Sequence, residues 1–361
     1  MSASTQTLRA NPTDAEKALN SDLPSKRDEA WKWTDVRGAV TDKARGLTRA
    51  GLPKFSLPDD LSVSEIERDD LETDTPMAAL ARTYGGKVWD INVPAEYAGT
   101  TPIEIDGFES GHVRIRMTIG KGAKLSLIEN HAGQDGFSNI DMTIILKSGA
   151  MLDRVVMHDD GDTQTRTLTT HVTQWDGSVF NQHTLSFGGA LARLETRVAG
   201  MSKGIESNIH GAYLLKDKRQ TDMTSYIDLT ASDAVIRQSV KGVVTDKARG
   251  VFQGKFHVRR PAQHTDAEMR HDALMLSDTS EIRSKPELEI YADDVACAHG
   301  NTLGALDEQA LFYMRQRGIP IKQARTLLTE AFVVDVFDDM KDESLRDSVR
   351  GKIRTWLEAN G

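Results

Sequence analysis

Glycines recur at a nearly constant interval through the middle of the chain, each within a short turn-like stretch. The interval is 27, 28 and then 27 residues, at positions Gly122, Gly149, Gly177 and Gly204. An interval of this length is typical of a solenoid, in which each repeat is one supersecondary unit stacked on the next. A second series, Gly111, Gly136 and Gly188, interleaves with the first and indicates that each coil turns at more than one corner.

Between these turns, apolar and polar residues alternate with a period of two, as in residues 112–119 and 139–146. Such alternation predicts β-strands. Without long helical patterns between the corners, leucine-rich and ankyrin arrays fit poorly, and a β-helix fits best because each rung can bury its inward row against the next. A two-sheet sandwich, with turns every ~8–12 residues and no longer period, is the alternative. We predict a mainly β chain with a parallel β-helix over residues 84–303.

The two ends of the chain have sequence patterns that differ from that of this core. Residues 1–83 are polar and helix-friendly, and Trp31 and Trp33 are expected to anchor them to a larger body. Residues 304–361 show helical periodicity, with a first helix that Asp307 can cap and Gly318 can end. We predict an N-terminal helical region and a C-terminal helical domain. The latter has little core of its own and must dock on the end of the solenoid or on another protein.

Composition excludes several classes of function. No apolar run approaches the ~18 residues of a membrane span, and a net charge of −9 argues against a nucleic-acid surface. One cysteine and the absence of an apolar leader favour a reducing compartment, and we expect the protein in the cytoplasm. The chain contains neither a phosphate-binding Gly-x-x-x-x-Gly-Lys loop nor a dinucleotide fingerprint.

The only cysteine, Cys297, lies two residues before His299. In an extended strand the two side chains project from the same face, so one metal ion could contact both. Two ligands do not complete a site, and there is no second cysteine for a four-thiolate cage. Any metal site here must therefore be shared or transient. The alternative is a purely structural role, in which Cys297 is buried and acts as a small hydrophobic residue.

Two other groups of residues carry weaker signals. Asp293 and Asp294 could serve as acid and base of a carbohydrate-active β-helix enzyme, although adjacent strand residues face opposite ways and a turn is the simpler interpretation. His257, His264 and His271 are seven residues apart, which on a helix would form a row of metal ligands. Pro261 and strand-like flanks argue against that helix, so surface or rung-stacking roles are expected instead.

Several motifs, in matching order and spacing, carry a family resemblance. They are Trp-Lys-Trp-Thr at 31–34, Gln-Gly-Lys-Phe-His-Val at 253–258, Ala-Gln-His-Thr at 262–265, Pro-Glu-Leu-Glu-Ile at 286–290, Asp-Asp-Val-Ala-Cys-Ala-His-Gly at 293–300 and Leu-Phe-Tyr-Met-Arg-Gln-Arg-Gly at 311–318. Together they resemble the SufB/SufD family of iron–sulfur cluster assembly proteins. The fourth and fifth motifs resemble its SufD branch.

This resemblance implies a right-handed parallel β-helix between helical regions, and a scaffold subunit without catalytic activity of its own. It implies pairing with SufB through the β-helix and docking of the ATPase SufC on the C-terminal helical domain. The family histidine corresponds to His299, with Cys297 as a nearby metal contact. It also implies no tightly bound cofactor, only transient iron or a nascent cluster shared with SufB. A flavin on the complex and a homodimer of the isolated chain stay open.

For SufC, the expected contact is one face of a C-terminal helix, formed by Ala324, Leu327, Leu328, Ala331 and Phe332. These positions also suit a helix core. Two departures from the family pattern concern the strand before the last rung and sulfur chemistry. Met269 and His271 stand where many relatives have Gln and Asn, and the catalytic cysteine of the SufB branch is absent. Sulfur acceptance by this chain is therefore not expected.

Overall fold

The computed structural model describes residues 22–40, 48–67, 75–107 and 110–360. Within these ranges there are eighteen strands. They are β1 (Lys54–Ser56), β2 (Val63–Ile66), β3 (Val88–Val93), β4 (Ile103–Asp106), β5 (Gly111–Ile119), β6 (Lys124–His131), β7 (Asp135–Leu146), β8 (Met151–His158), β9 (Thr163–Gln174), β10 (Val179–Ser186), β11 (Leu191–Gly200), β12 (Glu206–Leu215), β13 (Gln220–Leu229), β14 (Val235–Val244), β15 (Arg249–Val258), β16 (Asp266–Met275), β17 (Glu281–Ile290) and β18 (Ala296–Gly304).

Helices flank the strands at both ends of the described ranges. They are α1 (Val36–Ala39), α2 (Pro76–Tyr84), α3 (Glu308–Gln316), α4 (Ile321–Val334) and α5 (Glu343–Asn360), with short 3₁₀ turns at Glu29–Trp31 and Asp335–Phe337. None of these helices is both long and apolar enough to cross a membrane.

The strands form two nine-stranded sheets that face each other. One has the order β2-β3-β5-β7-β9-β11-β13-β15-β17 and the other the order β1-β4-β6-β8-β10-β12-β14-β16-β18. From β3 to β18 the neighbours within each sheet pair in parallel, whereas β1 and β2 pair antiparallel with β4 and β3. Each coil therefore adds one strand to each sheet. The prediction of a mainly β chain built on a parallel β-helix is confirmed.

The glycine period marks one corner of this solenoid. Gly122, Gly149, Gly177 and Gly204 all have φ between 61° and 69°, where a residue without a Cβ is favoured. The corners stack, because the Gly149 N–H donates to the Asp176 carbonyl at 2.8 Å and equivalent bonds join the next rungs. In later rungs Asp233 and His264 occupy the equivalent corner position, with φ of 63° and 60°. The glycine period therefore ends at Gly204, whereas the stacked corners continue into the later rungs.

Apolar side chains from the two sheets fill the space between them. Part of each outer face is covered by the ends of the chain. Near the N-terminus, the buried Trp31 ring lies 3.9 Å from the guanidinium of Arg193 on β11, so this tryptophan anchors the segment as expected.

The C-terminal helices pack on the outer face of the other sheet. Val333, Phe337 and Ile353 form a buried cluster with Leu185 of β10 and Val243 of β14. The helical domain thus docks on the flank of the solenoid and not on its end, because this outer face carries apolar residues. The end at β17 and β18 is left uncovered by it.

The predicted division at residues 83/84 and 303/304 stays a prediction. Strands already occur within the N-terminal region at β1 and β2, and the last strand ends at Gly304. The first 21 residues of that region lie outside the described ranges.

Candidate functional site

The last rung of the β-helix consists of β17 and β18, each with a neighbour on one side only. In the described part of the chain, β17 pairs with β15 alone and β18 with β16 alone. Pro286 lies in the middle of β17. The Tyr291 N–H that follows the strand donates to the Val258 carbonyl, so alternation directs the Pro286 nitrogen to the free edge. Proline is tolerated in a sheet at such an edge, since it has no N–H to donate.

Cys297 and His299 project from the same face of β18. In the register of β18 with β16, Cys297 lies opposite Ala267 and His299 opposite Met269. Both β16 residues are buried between the two sheets. Cys297 and His299 therefore face the interior of the solenoid, at the rung where that interior opens. The predicted common face is confirmed.

The two side chains differ in exposure. His299 is exposed, whereas Cys297 is half-buried and packs against the edge of the apolar core. Burial, reinforced by the Asp266 carboxylate, raises the pKa of the Cys297 thiol above its ordinary value. The thiol is therefore protonated at neutral pH in the free chain, and a metal ion that binds it must displace a proton.

A second histidine lies one rung deeper. The His271 ring is buried and stacks on Phe252 with ring centroids 4.7 Å apart. Its Nδ1 lies 3.0 Å from Oδ1 of Asn301 and 3.1 Å from Oγ of Ser284, both on the last rung. Sequence reasoning did not associate Asn301 with the site. The alternation of β18 could have done so, because Asn301 shares a face with Cys297 and His299.

The paired aspartates lie in the turn between β17 and β18. The His264 N–H donates to the Asp294 carbonyl at 2.6 Å, and His264 Nδ1 lies 3.0 Å from Asp294 Oδ2. Asp294 is thus held by a stacked corner of the solenoid. This agrees with the turn interpretation of Asp293 and Asp294.

The three evenly spaced histidines do not come together. His257 lies on the outer side of β15, where its Nδ1 is 3.2 Å from Asp228 Oδ1, while His264 lies in a corner and His271 in the core. Strand geometry separates the three side chains, which agrees with the expected surface and rung-stacking roles and not with a row of metal ligands. In the ranges that the structure covers, no group of three or more His, Cys, Asp or Glu side chains is arranged to hold a metal ion.

The predicted contact face on α4 is only partly free. Ala324 is buried, Leu328 and Phe332 are half-buried, and Leu327 and Ala331 are exposed. Phe332 packs against the buried cluster on the outer face of the sheet, and α4 contacts β14 there. The role of this face in binding a partner stays a prediction.

Comparison with known families decides what the chain is. The family model described as "SUF system FeS cluster assembly, SufBD core domain" matches residues 105–332. The chain belongs to the SufBD family. The SufBD match extends from β4 through the last rung and α3 into α4. It therefore includes Cys297, His299 and the predicted contact face.

Individual SufBD relatives agree with this. The chain is similar to iron–sulfur cluster assembly protein SufD of Escherichia coli, with 24% identity over 94% of this chain and 90% of that protein. It is 27% identical to SufBD family protein slr0076 of Synechocystis over 66% of this chain, and 27% identical to protein ABCI7, chloroplastic, of Arabidopsis thaliana over 68%. These matches span 55% and 52% of the two latter proteins. The chain is thus a SufD-like member of a family that assembles iron–sulfur clusters.

Proposed function

We propose that this chain is a non-catalytic scaffold subunit that completes a transient iron–sulfur site with SufB and docks the ATPase SufC. The observation that carries the proposal is the position of Cys297 and His299 on the inward face of an uncovered last rung. A thiolate and an imidazole are ligands that iron accepts, and a second protein must supply the others.

Pairing through the β-helix ends is supported by the two free edges. A solenoid rung without a neighbour presents unpaired backbone N–H and C=O groups, which can pair with the strands of another chain. The Ala296 N–H donates to the carbonyl of Thr265, the residue before β16, at 2.9 Å. Alternation therefore directs the N–H groups of Cys297, His299 and Leu303 to the free edge. A second β-helix that stacks there would cover both candidate ligands.

An incomplete ligand set is compatible with a site that holds a cluster only until it is transferred. Two ligands from this chain hold an ion weakly, and the cluster can leave once the partner shifts. The proton that a metal displaces from Cys297 adds to the free energy that binding must supply. The site therefore favours release over storage.

Docking of SufC is supported by apolar side chains on the outer side of the C-terminal helices. Phe312 and Tyr313 on α3 are 63% and 58% exposed, and Ile321 and Leu327 on α4 are 41% exposed each. The two helices contact each other, and exposed apolar groups on neighbouring helices are typical of a protein contact. The predicted face shares Leu327 with this group.

The test is co-expression with SufB and SufC, followed by affinity purification through a tag on this chain and measurement of iron and acid-labile sulfide. We expect all three subunits to co-purify. We expect His299→Ala and Cys297→Ala to lower cluster content several-fold while the complex persists. His257→Ala is the matched control, since His257 lies on the outer face of β15 and should change nothing.

Two results would overturn the proposal in different ways. Failure of the wild-type chain to co-purify with SufB and SufC would remove the subunit assignment. Normal cluster content in both His299→Ala and Cys297→Ala would remove these residues from the site, even with the complex intact.

A further inference from the structure

A chain of hydrogen bonds runs through the interior of the β-helix to the last rung. The Tyr213 hydroxyl on β12 lies 2.9 Å from His271 Nε2 on β16. His271 Nδ1 in turn lies 3.0 Å from Asn301 Oδ1 on β18. The chain thus joins a residue of the deep core to the inward face that carries Cys297 and His299.

The surrounding backbone is shaped to admit the Tyr213 ring. A Cβ added to Gly242 would lie 2.3 Å from the ring, and one added to Gly250 would lie 2.4 Å from it. Both positions therefore need glycine for the ring to reach His271 across the rung of β14. Phe252 stacks on the other side of the path, against the His271 ring. The aromatic groups fix the orientation of the imidazole.

The protons of this chain can be assigned from its partners. Burial raises the pKa of Tyr213 far above its ordinary value and lowers that of His271 to about 4, so both are neutral near pH 7. A buried hydroxyl must donate its proton, and within the described residues the acceptor beside Tyr213 is His271 Nε2. The imidazole proton is then on Nδ1, which donates to Asn301 Oδ1.

This assignment fixes the Asn301 amide. Its oxygen lies toward His271, so its Nδ2 group lies on the side away from that ring. Asn301 is exposed and shares the inward face of the last rung with His299. We propose that Asn301 Nδ2 donates a hydrogen bond to an anionic sulfur atom of the cluster held at this rung, and that His271 and Tyr213 are positioning residues that orient it. The inference rests on the proposed function.

A hydrogen bond to a cluster sulfur has a definite electrochemical sign. It stabilises the reduced cluster, which carries more negative charge, and so raises the reduction potential. Removal of the donor should shift the potential of the cluster to more negative values. A residue that only filled space at this rung would leave the potential unchanged.

The test uses the complex co-purified with SufB and SufC and compares the potential of its cluster between variants. Asn301→Ala and Asn301→Leu remove the donor without adding a charge, and we expect both to shift the potential negatively and to shorten cluster retention several-fold. Thr302→Ala is the control, because Thr302 faces the outer side of the same strand. An unchanged potential in both Asn301 variants, in a complex that carries its cluster, would overturn the inference and leave the proposed function intact.

A second variant tests the positioning residues. Tyr213→Phe with His271→Phe keeps the aromatic packing and removes both buried polar groups together. We expect the double variant to shift the potential in the same direction as Asn301→Ala, with no further shift when the two are combined.

In the isolated wild-type chain, nitrogen-15 NMR of labelled histidine should place the His271 proton on Nδ1. A proton on Nε2 would contradict the assignment. A wild-type complex without any cluster would instead contradict the proposed function.

Discussion

His183 on β10 reaches Asp339, which lies in the turn after the 3₁₀ segment Asp335–Phe337, with Nε2 2.8 Å from Oδ1. His210 on the next strand of the sheet, β12, lies 3.4 Å from the other carboxylate oxygen. Burial raises the pKa of Asp339, but the hydrogen bonds from the two histidines outweigh it and hold the pKa well below its ordinary range. This carboxylate therefore ties the C-terminal helices to the flank of the solenoid.

Asp339→Asn should lower the free energy of unfolding by about 1 kcal/mol at pH 7, since the carboxylate is half exposed and solvent screens it. A depressed pKa stabilises the fold above the ordinary carboxyl value of about 4 and loses that contribution as the pH falls below it. The difference between wild type and variant in urea unfolding should thus shrink as the pH falls below 4. Asp338→Asn, which removes an exposed contact to Arg350, is the control.

Trp31→Ala should destabilise the protein by about 3 kcal/mol, because the ring is buried against Arg193. Arg193 also pairs with Glu195 and Asp222, so the loss exposes a charged network to water. Limited proteolysis should detect early release of the N-terminal segment. Trp175→Ala removes a ring that is 39% exposed and should cost less than about 1 kcal/mol. Equal losses in both variants would contradict the anchoring role.

Gly177→Ala should cost about 1 kcal/mol through the backbone alone. Its φ is 61°, and an added Cβ would meet no atom within 4 Å. Gly304→Ala is the matched control, since a Cβ there is equally free and the backbone is not left-handed. Denaturant midpoints of the two variants would separate backbone strain from packing. A Gly177 variant as stable as wild type would remove the conformational reason for the glycine period.

Leu303→Pro should abolish co-purification with SufB and leave the fold of the isolated chain largely unchanged, since this N–H points to the free edge of β18. Thr302→Pro shifts the same substitution by one residue and removes a hydrogen bond to β16, so it should destabilise the isolated chain instead. Circular dichroism and pull-down would distinguish the two. Retention of SufB by the Leu303 variant would exclude pairing along this edge.

Leu327→Asp should weaken co-purification with SufC at least tenfold, because a charge replaces an exposed apolar group on the outer side of α4. Gln323→Asp adds a charge at an exposed polar position of the same helix and should have little effect. Equal retention of SufC by both variants would place the contact elsewhere.

Much of the fold could be predicted from local pattern. A left-handed corner favours glycine, and strands buried on one side alternate, so the β-helix followed from Gly122 to Gly204 and the alternating stretches between them. The period could not be followed further, because Asp233 and His264 adopt the same backbone conformation without being glycine. The common face of Cys297 and His299 was predictable for the same reason, since alternation along one strand is a local property.

The sequence by itself therefore determined the solenoid, the family and two candidate ligands, all of which depend on spacing along the chain. Only the tertiary structure decided that the C-terminal helices cover a flank and leave the last rung open. Only the tertiary structure brings Tyr213 within hydrogen-bonding distance of His271, 58 residues away, and His271 within hydrogen-bonding distance of Asn301, 30 residues away. Stacked rungs bring such residues into contact across the interior, in the space that Gly242 and Gly250 leave for the Tyr213 ring, and no spacing along the chain indicates which rungs supply the partners.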